Sequence, residues 1–271
     1  MLKNKVGVAT TSYMGLALED ALKGVSKAGF SYVEIAAAKG IIEHIRPDKM
    51  GSVEVESLRK QLKGCNLELV TISGHSDLTK VENVPYIKSC INLAKKLGAE
   101  FVTTGVDGDS PQIAIKQFYK NMEELGEYAV EKGVTICLET HGGVVATGKE
   151  VAKVVQNINS EGVKINYDTA NVIFYGGVRP EEDLKYALEN LGHVHLKDKI
   201  GGKGIWNFPP LGEGTVDFEL LFKMFIEKGY SGPFTIEIEF QEDTKRTPEL
   251  VNLAVKKSHD NLDNLFSRLS W

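Results

Sequence analysis

The chain has 271 residues, 37 acidic and 32 basic side chains, a net charge of −5 and 42% hydrophobic content. That balance is ordinary for a soluble globular protein; it supplies no basic footprint for nucleic acid and favours a small neutral or metal-bound substrate over a polyanion. Three separated cysteines (Cys65, Cys90, Cys137) form neither a disulfide framework nor a CxxC pair, and no stretch of 18 apolar residues or secretory leader is visible, so a cytoplasmic protein that neither spans a membrane nor is exported is expected.

In chain order, strand-like and helix-like patterns alternate eight times. β-Branched, apolar runs fall at 6–12, 32–37, 67–73, 101–106, 134–140, 163–169, 193–197 and 234–240. Helical periodicity lies between them, for example at 18–28, 84–97 and 113–132, where Ile115, Phe118, Met122, Leu125 and Val130 form the predicted buried face. Gly29, Gly98, Gly133, Gly192 and Gly229 are expected to close helices, and Pro111, Pro180 and Pro248 to stand near helix starts. A last helix over roughly 248–269 would close the ring. With no linker or low-complexity break, eight βα units predict an α/β chain folded as one (β/α)8 TIM-barrel domain over 1–271; the open doubly wound sheet is the alternative.

Four of the strands end in groups that a buried strand avoids. They are Leu138-Glu139-Thr140-His141, Tyr167-Asp168-Thr169-Ala170-Asn171, His193-Val194-His195-Leu196-Lys197-Asp198 and Ile236-Glu237-Ile238-Glu239. Ionised carboxylates are costly to desolvate without a partner, and a barrel collects its reacting groups at the carboxyl ends of its strands. Taken singly, a strand-end carboxylate caps a loop or meets a surface lysine, and a histidine is structural. Four consecutive strands breaking pattern at the same end resist that explanation. Three carboxylates and an imidazole brought together make a hard divalent-metal site. Residues two apart share a strand face, so His193 or His195, and Glu237 or Glu239, both stay open on this pattern.

The Tyr-Asp-Thr-Ala-Asn and His-Val-His-Leu-Lys-Asp stretches, Pro-Leu-Gly-Glu-Gly-Thr-Val-Asp-Phe at 210–218 and Gly-Tyr-Ser-Gly-Pro-Phe-Thr-Ile-Glu-Ile-Glu at 229–239 resemble the xylose-isomerase-like TIM-barrel superfamily. Its sugar-phosphate isomerase/epimerase, inosose dehydratase and ketose 3-epimerase members are the nearest in pattern. The resemblance covers nearly the whole chain and is densest from 134 to 239. It implies one divalent ion held by Glu139, Asp168, His195 and Glu237, with manganese the first expectation and magnesium, cobalt or zinc the alternatives. Glu139 and Glu237 would also move protons on opposite faces of the substrate. The implied reaction is isomerisation or epimerisation of a sugar or polyol-derived ketone, through proton removal next to a carbonyl and a metal-stabilised enediolate. A lyase on the same scaffold is the second reading, losing a β-hydroxyl as an inosose dehydratase does or splitting a 3-oxo-glycoside by β-elimination. A non-catalytic carbohydrate-binding barrel and a nuclease resembling endonuclease IV stand further off; such a nuclease needs more histidine ligands than the six histidines here provide, and a basic groove.

Further residues are expected around that centre. Glu34 would meet a substrate hydroxyl or pair with a lysine, and His75 would face the pocket or brace its loop. His141 and Lys197 would bind substrate oxygens or act as a second acid or base, the alternative for Lys197 being an ion pair with Asp198 or a ligand carboxylate. Asn171 stands where ketose 3-epimerases often carry histidine, which sets this chain apart from that substrate specificity. The irregular segment 200–210 has the glycines of a mobile lid, with Trp206 as a sugar platform or as ordinary packing and Lys203 as an anion grip. Glu213 is expected to fix that segment. The expected partner is a small sugar or polyol-derived ketone, not nucleic acid or a membrane, and the apolar end 265–271 is open to helix packing or to a subunit contact in a homo-oligomer.

Overall fold

Eight strands pair in parallel in chain order, and the last returns to the first. They are β1 (Val6–Ala9), β2 (Tyr32–Ala38), β3 (Glu68–Ser73), β4 (Phe101–Thr104), β5 (Thr135–Glu139), β6 (Val163–Asp168), β7 (Leu191–Leu196) and β8 (Phe234–Ile236). Because β1 pairs with both β8 and β2, the sheet is a closed barrel and not an open doubly wound sheet. The computed structural model describes residues 4–106 and 112–269; Pro111 and residues 1–3 and 270–271, Trp271 among them, lie outside the described residues.

The strands are followed by α1 (Leu18–Ala28), α2 (Ser52–Gly64), α3 (Val84–Leu97), α4 (Gln112–Lys132), α5 (Gly148–Ile158), the single turn α6 (Pro180–Asp183), α7 (Phe218–Lys228) and α8 (Pro248–Leu269). Gly29, Gly98, Gly133 and Gly229 follow helices in the left-handed conformation, as their positions predict. Gly192 does not: it is the second residue of β7, where a Cβ would come 2.8 Å from both Cys137 Sγ and the Lys164 Cβ. On α4, Phe118, Met122, Leu125 and Ala129 are buried while Val130 is exposed, because the 3.6-residue stripe passes through position 129. Among the described residues no helix is long and apolar enough to cross a membrane.

Alternation in the strands sends one set of side chains to the helices and the other to the barrel axis. Val33, Ile35, Val102, Ile136, Leu138, Ile165, Val194, Leu196 and Ile236 join the apolar layer shared with the helices. The opposite set includes Glu34, Thr71, Thr103, Asn166, His193 and Thr235, all fully buried. Barrel interiors are usually filled by branched apolar residues; most of this polar filling is hydrogen-bonded internally, Thr71 Oγ1 having no partner among the described residues.

Several strands stop sooner than the apolar runs predict. Residues 10–13 turn as a 3-10 helix, and β8 ends at Ile236 before Phe240–Gln241 pairs antiparallel with Asn207–Phe208. That short ladder gives order to part of the segment expected to be irregular.

Candidate metal centre

Glu139 and Asp168 are the last residues of β5 and β6, His195 is the penultimate residue of β7, and Glu237 follows β8 directly. One ligand atom from each lies within 4.8 Å of the others. His195 Nδ1 is 3.5 Å from Glu139 Oε2 and 3.8 Å from both Asp168 Oδ2 and Glu237 Oε2. Height along the barrel decides between the alternatives that alternation leaves open. His193 lies one layer deeper, with Nδ1 2.9 Å from Asn166 Oδ1 and Nε2 3.4 Å from Glu34. Glu239 is turned to Lys197 and lies outside the four-residue cluster.

Two buried atoms of this cluster, Asp168 Oδ2 and His195 Nδ1, have no hydrogen-bond partner among the described residues. The other oxygen of Asp168 accepts from the backbone N–H groups of Ala170 and Asn171, both at 2.8 Å, which fixes the carboxylate with Oδ2 facing the cluster. Native proteins rarely leave buried polar atoms unpaired; here they face two further carboxylates, and an oxygen-rich set with one imidazole suits a hard divalent cation. Glu34, His193 and His195 also converge within 4.8 Å of one another. That lower group is a closed hydrogen-bonded network: Glu34 accepts from Thr235 Oγ1 at 2.8 Å and from His195 Nε2 at 3.1 Å, and His193 is bonded to Asn166.

Burial opposes charge throughout the upper cluster, and the neighbours decide the outcome. His195 and His75 overcome burial to hold Glu139 well below the usual carboxylate range, and Lys197 and His195 hold Glu237 down to about 2. Asp168 is the exception: burial pushes it up, with Glu139 and Glu237 adding to the push against the pull of Lys197. On His195, burial is outweighed by Glu34 and Glu139, so the imidazole is held well above its ordinary value. A cation placed among these groups would relieve the crowding of three carboxylates.

The remaining expected residues are placed as follows. Glu34 is fully buried beneath His195; its partners among the described residues are His195, His193, Thr235 and Thr103, so it meets there neither a lysine nor the solvent from which a substrate hydroxyl would come. His75 Nε2 lies 3.1 Å from Glu139 Oε2, and its Nδ1 meets Ser73 Oγ at 3.1 Å. His141 stands 3.4 Å from the Tyr175 hydroxyl, and with His75, Lys39, Ile41, Asp77 and Val106 it lines a cavity of about 300 Å³. Lys197 is tied to Glu237 at 2.9 Å and to Glu239, an ion pair with a ligand carboxylate. Asp198 is elsewhere engaged, accepting from the N–H groups of Lys199, Gly212, Gly214 and Val216.

Trp206 packs edge-to-face on Phe174 and Phe208, with ring centres 5.5 and 5.1 Å apart. In the segment expected to act as a lid, Lys199 Nζ donates to the carbonyls of Ile200 at 2.6 Å and Ile205 at 2.5 Å. Glu213 pairs at the surface with Lys257 of α8, at 2.7 Å.

Two residues of the site, Asn166 and Arg246, are not singled out by the sequence, and Asn171, noted there for its departure from the ketose 3-epimerase pattern, joins them. Asn166 and Asn171 donate their amides to the two oxygens of Glu139 at 3.2 and 2.9 Å, and Arg246 donates to the Glu239 carbonyl at 2.9 Å. Asn166 had a visible sign, since it shares a strand face with Asp168 two residues on.

A closed βα barrel with two glutamates, an aspartate and a histidine converging where strands five to eight end defines a class of candidate metal-dependent enzymes working at the barrel mouth. Residues 22–256 match the family model described as xylose isomerase-like TIM barrel, and the chain belongs to that family. A curated relative, inosose dehydratase of Clostridium botulinum (strain Alaska E43 / Type E3), is 28% identical over 221 residues, covering 69% of this chain and 74% of that protein. Among solved structures, a xylose isomerase domain protein from Planctomyces limnophilus superposes with a TM-score of 0.79 at 20% identity, covering 98% of this chain and 99% of that one. D-allulose 3-epimerase from Methylomonas sp. superposes with a TM-score of 0.74 at 18% identity, covering 98% and 99%. At such identities these two structures speak for the fold.

Proposed function

We propose that the protein is a metal-dependent enzyme that removes the proton next to the carbonyl of a small polyol-derived ketone and then expels the β-hydroxyl, a dehydratase of the inosose type. The observation that carries the metal-dependent chemistry is the pair of orphaned atoms, Asp168 Oδ2 and His195 Nδ1, facing Glu139 and Glu237. The curated inosose dehydratase relative supports dehydration as the outcome. Isomerisation or epimerisation is the second reading, favoured by the presence of two glutamates, Glu139 and Glu237, in one cluster.

Glu139, Asp168, His195 and Glu237 would hold the divalent ion, with manganese, magnesium or cobalt suiting the oxygen-rich set. When bound, the ion would polarise the substrate carbonyl. Glu139 Oε2 takes the proton from the neighbouring carbon, and the released electron pair moves toward the carbonyl oxygen. Asn166 and Asn171 orient that carboxylate for the transfer. In dehydration the electron pair returns to form the C=C bond while the β-hydroxyl leaves as water with the proton that Glu139 took up, which restores the carboxylate. In epimerisation a proton returns to the same carbon from the opposite face, the place assigned to Glu237. Lys197 offsets the charge of Glu237 and Glu239, and His75 and His141 offer hydrogen bonds to hydroxyls in the adjoining cavity.

Incubation with manganese and a panel of inososes and ketohexoses in heavy water tests this. A product lighter by one water supports dehydration, deuterium gained without mass loss supports the second reading, and no exchange on any ketone overturns both. Glu139→Gln is expected to lower turnover by about a hundredfold or more while leaving the metal-free melting temperature nearly unchanged; near-wild-type turnover would remove Glu139 as the base.

A further inference from the structure

We propose that Glu34 is a positioning residue of the metal centre, fixing the tautomer and ring orientation of His195 from beneath so that the Nδ1 lone pair faces Glu139, Asp168 and Glu237. The proposal rests on the metal-centre reading above and adds a residue of β2, a strand that contributes nothing to the four-residue cluster itself.

Both Glu34 oxygens approach His195 Nε2, at 3.1 and 3.2 Å, while the Thr235 hydroxyl lies 2.8 Å from Oε2. An ionised carboxylate only accepts hydrogen bonds, so Nε2 carries a hydrogen. A cation at the cluster takes the place of any proton on Nδ1, and the imidazole then keeps only the Nε2 hydrogen and offers Nδ1 bare, the form a cation requires. A carboxylate behind a metal-binding histidine does this in many metal sites, orienting the ring and raising its basicity.

Three features argue against Glu34 as mere barrel filling. It is fully exposed to the cost of burying a carboxylate, with 0% solvent exposure, where an apolar side chain would fill the space without that cost. Its contacts come from β7, β8 and β4, with Thr103 Oγ1 3.5 Å away, so three strands converge on one acceptor. The β2–β3 ladder also shifts register between Val33 and Glu34, an irregularity of the kind that re-aims a side chain beside a site.

Titration of the full-length protein with manganese, read by the signal of the free ion in electron paramagnetic resonance, tests the proposal. Wild type is expected to bind one ion and His195→Ala to lose it. Glu34→Gln, nearly isosteric, should weaken manganese binding by about 10–100-fold, and Thr235→Val, which removes one tie on the carboxylate, by about threefold. Thr71→Val, equally buried in the barrel but outside the contacts of His195, should leave affinity unchanged. With diamagnetic zinc bound, the Nε2 proton of His195 should give a slowly exchanging, low-field resonance in wild type that moves upfield in Glu34→Gln. Affinity within twofold of wild type in Glu34→Gln overturns the positioning role and leaves the metal centre standing. If Glu34→Gln fails to fold, unchanged affinity in Thr235→Val overturns it instead. Absence of manganese binding by wild type overturns the metal centre itself.

Discussion

His195 is buried and His44 partly so, and what faces their ring nitrogens decides whether burial sets the direction of the pKa shift. His195 has carboxylates on both sides, and Glu34 and Glu139 raise its pKa against the effect of burial. His44 has a threonine hydroxyl 2.9 Å from Nδ1 and the Leu16 carbonyl 3.1 Å from Nε2. Burial pushes its pKa down, with the nearby carbonyls pulling weakly the other way, so it stays neutral near pH 7. An unfolded chain takes up a proton on this residue near its ordinary value of about 6.5, whereas the folded chain resists. The unfolded state therefore binds more protons below that value, and stability rises with pH across the window. The contribution is fully present above about 6.5 and is lost as pH falls toward the depressed folded value. Urea midpoints measured from pH 7.5 down to 5.5 should fall in wild type and fall less in His44→Gln; parallel curves would show that His44 adds nothing to the slope.

The segment between β7 and α7 shows how one side chain organises an element. Asp198 gathers four backbone N–H groups, those of Lys199, Gly212 and Gly214 at 2.8 Å and of Val216 at 3.2 Å. A Cβ on Gly214 would lie 2.2 Å from Asp198 Oδ1, so the closeness of this approach accounts for the glycine in Leu-Gly-Glu-Gly. Asp198→Ala strands buried donors and should cost about 3 kcal/mol or more, read as a lower urea midpoint; Glu213→Ala, which loses only a surface ion pair, should cost less than about 1 kcal/mol. Equal effects would contradict this account of the loop. The sequence shows Asp198 as part of a motif but not its job, because three of its four partners lie 14 to 18 residues on in a stretch with little regular pattern. The candidate metal centre divides the same way. Alternation identifies which face of β7 carries His193, His195 and Lys197, but the height of each is set by neighbouring strands: His195 is in register with Asp168 and Thr235, and His193 with Asn166. That register includes a slip between Ile165 and Asn166, which no local pattern announces. Val130 is a simpler case, a valine one position beyond the buried stripe of α4.

At the scale of the whole molecule, the barrel replaces an apolar axis with stacked polar layers: a closed network around Glu34, His193 and Thr235, and above it an acidic cluster with two unpaired atoms. The lower layer is satisfied by the protein alone. The upper layer concentrates three carboxylates against one imidazole and one lysine, so a cation that binds the folded barrel and not the unfolded chain must stabilise the fold by mass action. At a free metal concentration one hundred times the dissociation constant, that linkage is about 2.7 kcal/mol, or a rise in melting temperature of about 5 °C or more for a domain of this size. The rise should appear with manganese, reverse on adding a chelator, and vanish in Asp168→Ala, which deletes one of the orphaned ligand atoms. Thermal melts over a series of manganese, magnesium, cobalt and zinc concentrations would also rank the ions, since the shift at a fixed concentration follows affinity. A wild-type melting temperature indifferent to all four would mean that the upper layer, like the lower one, is satisfied without an ion.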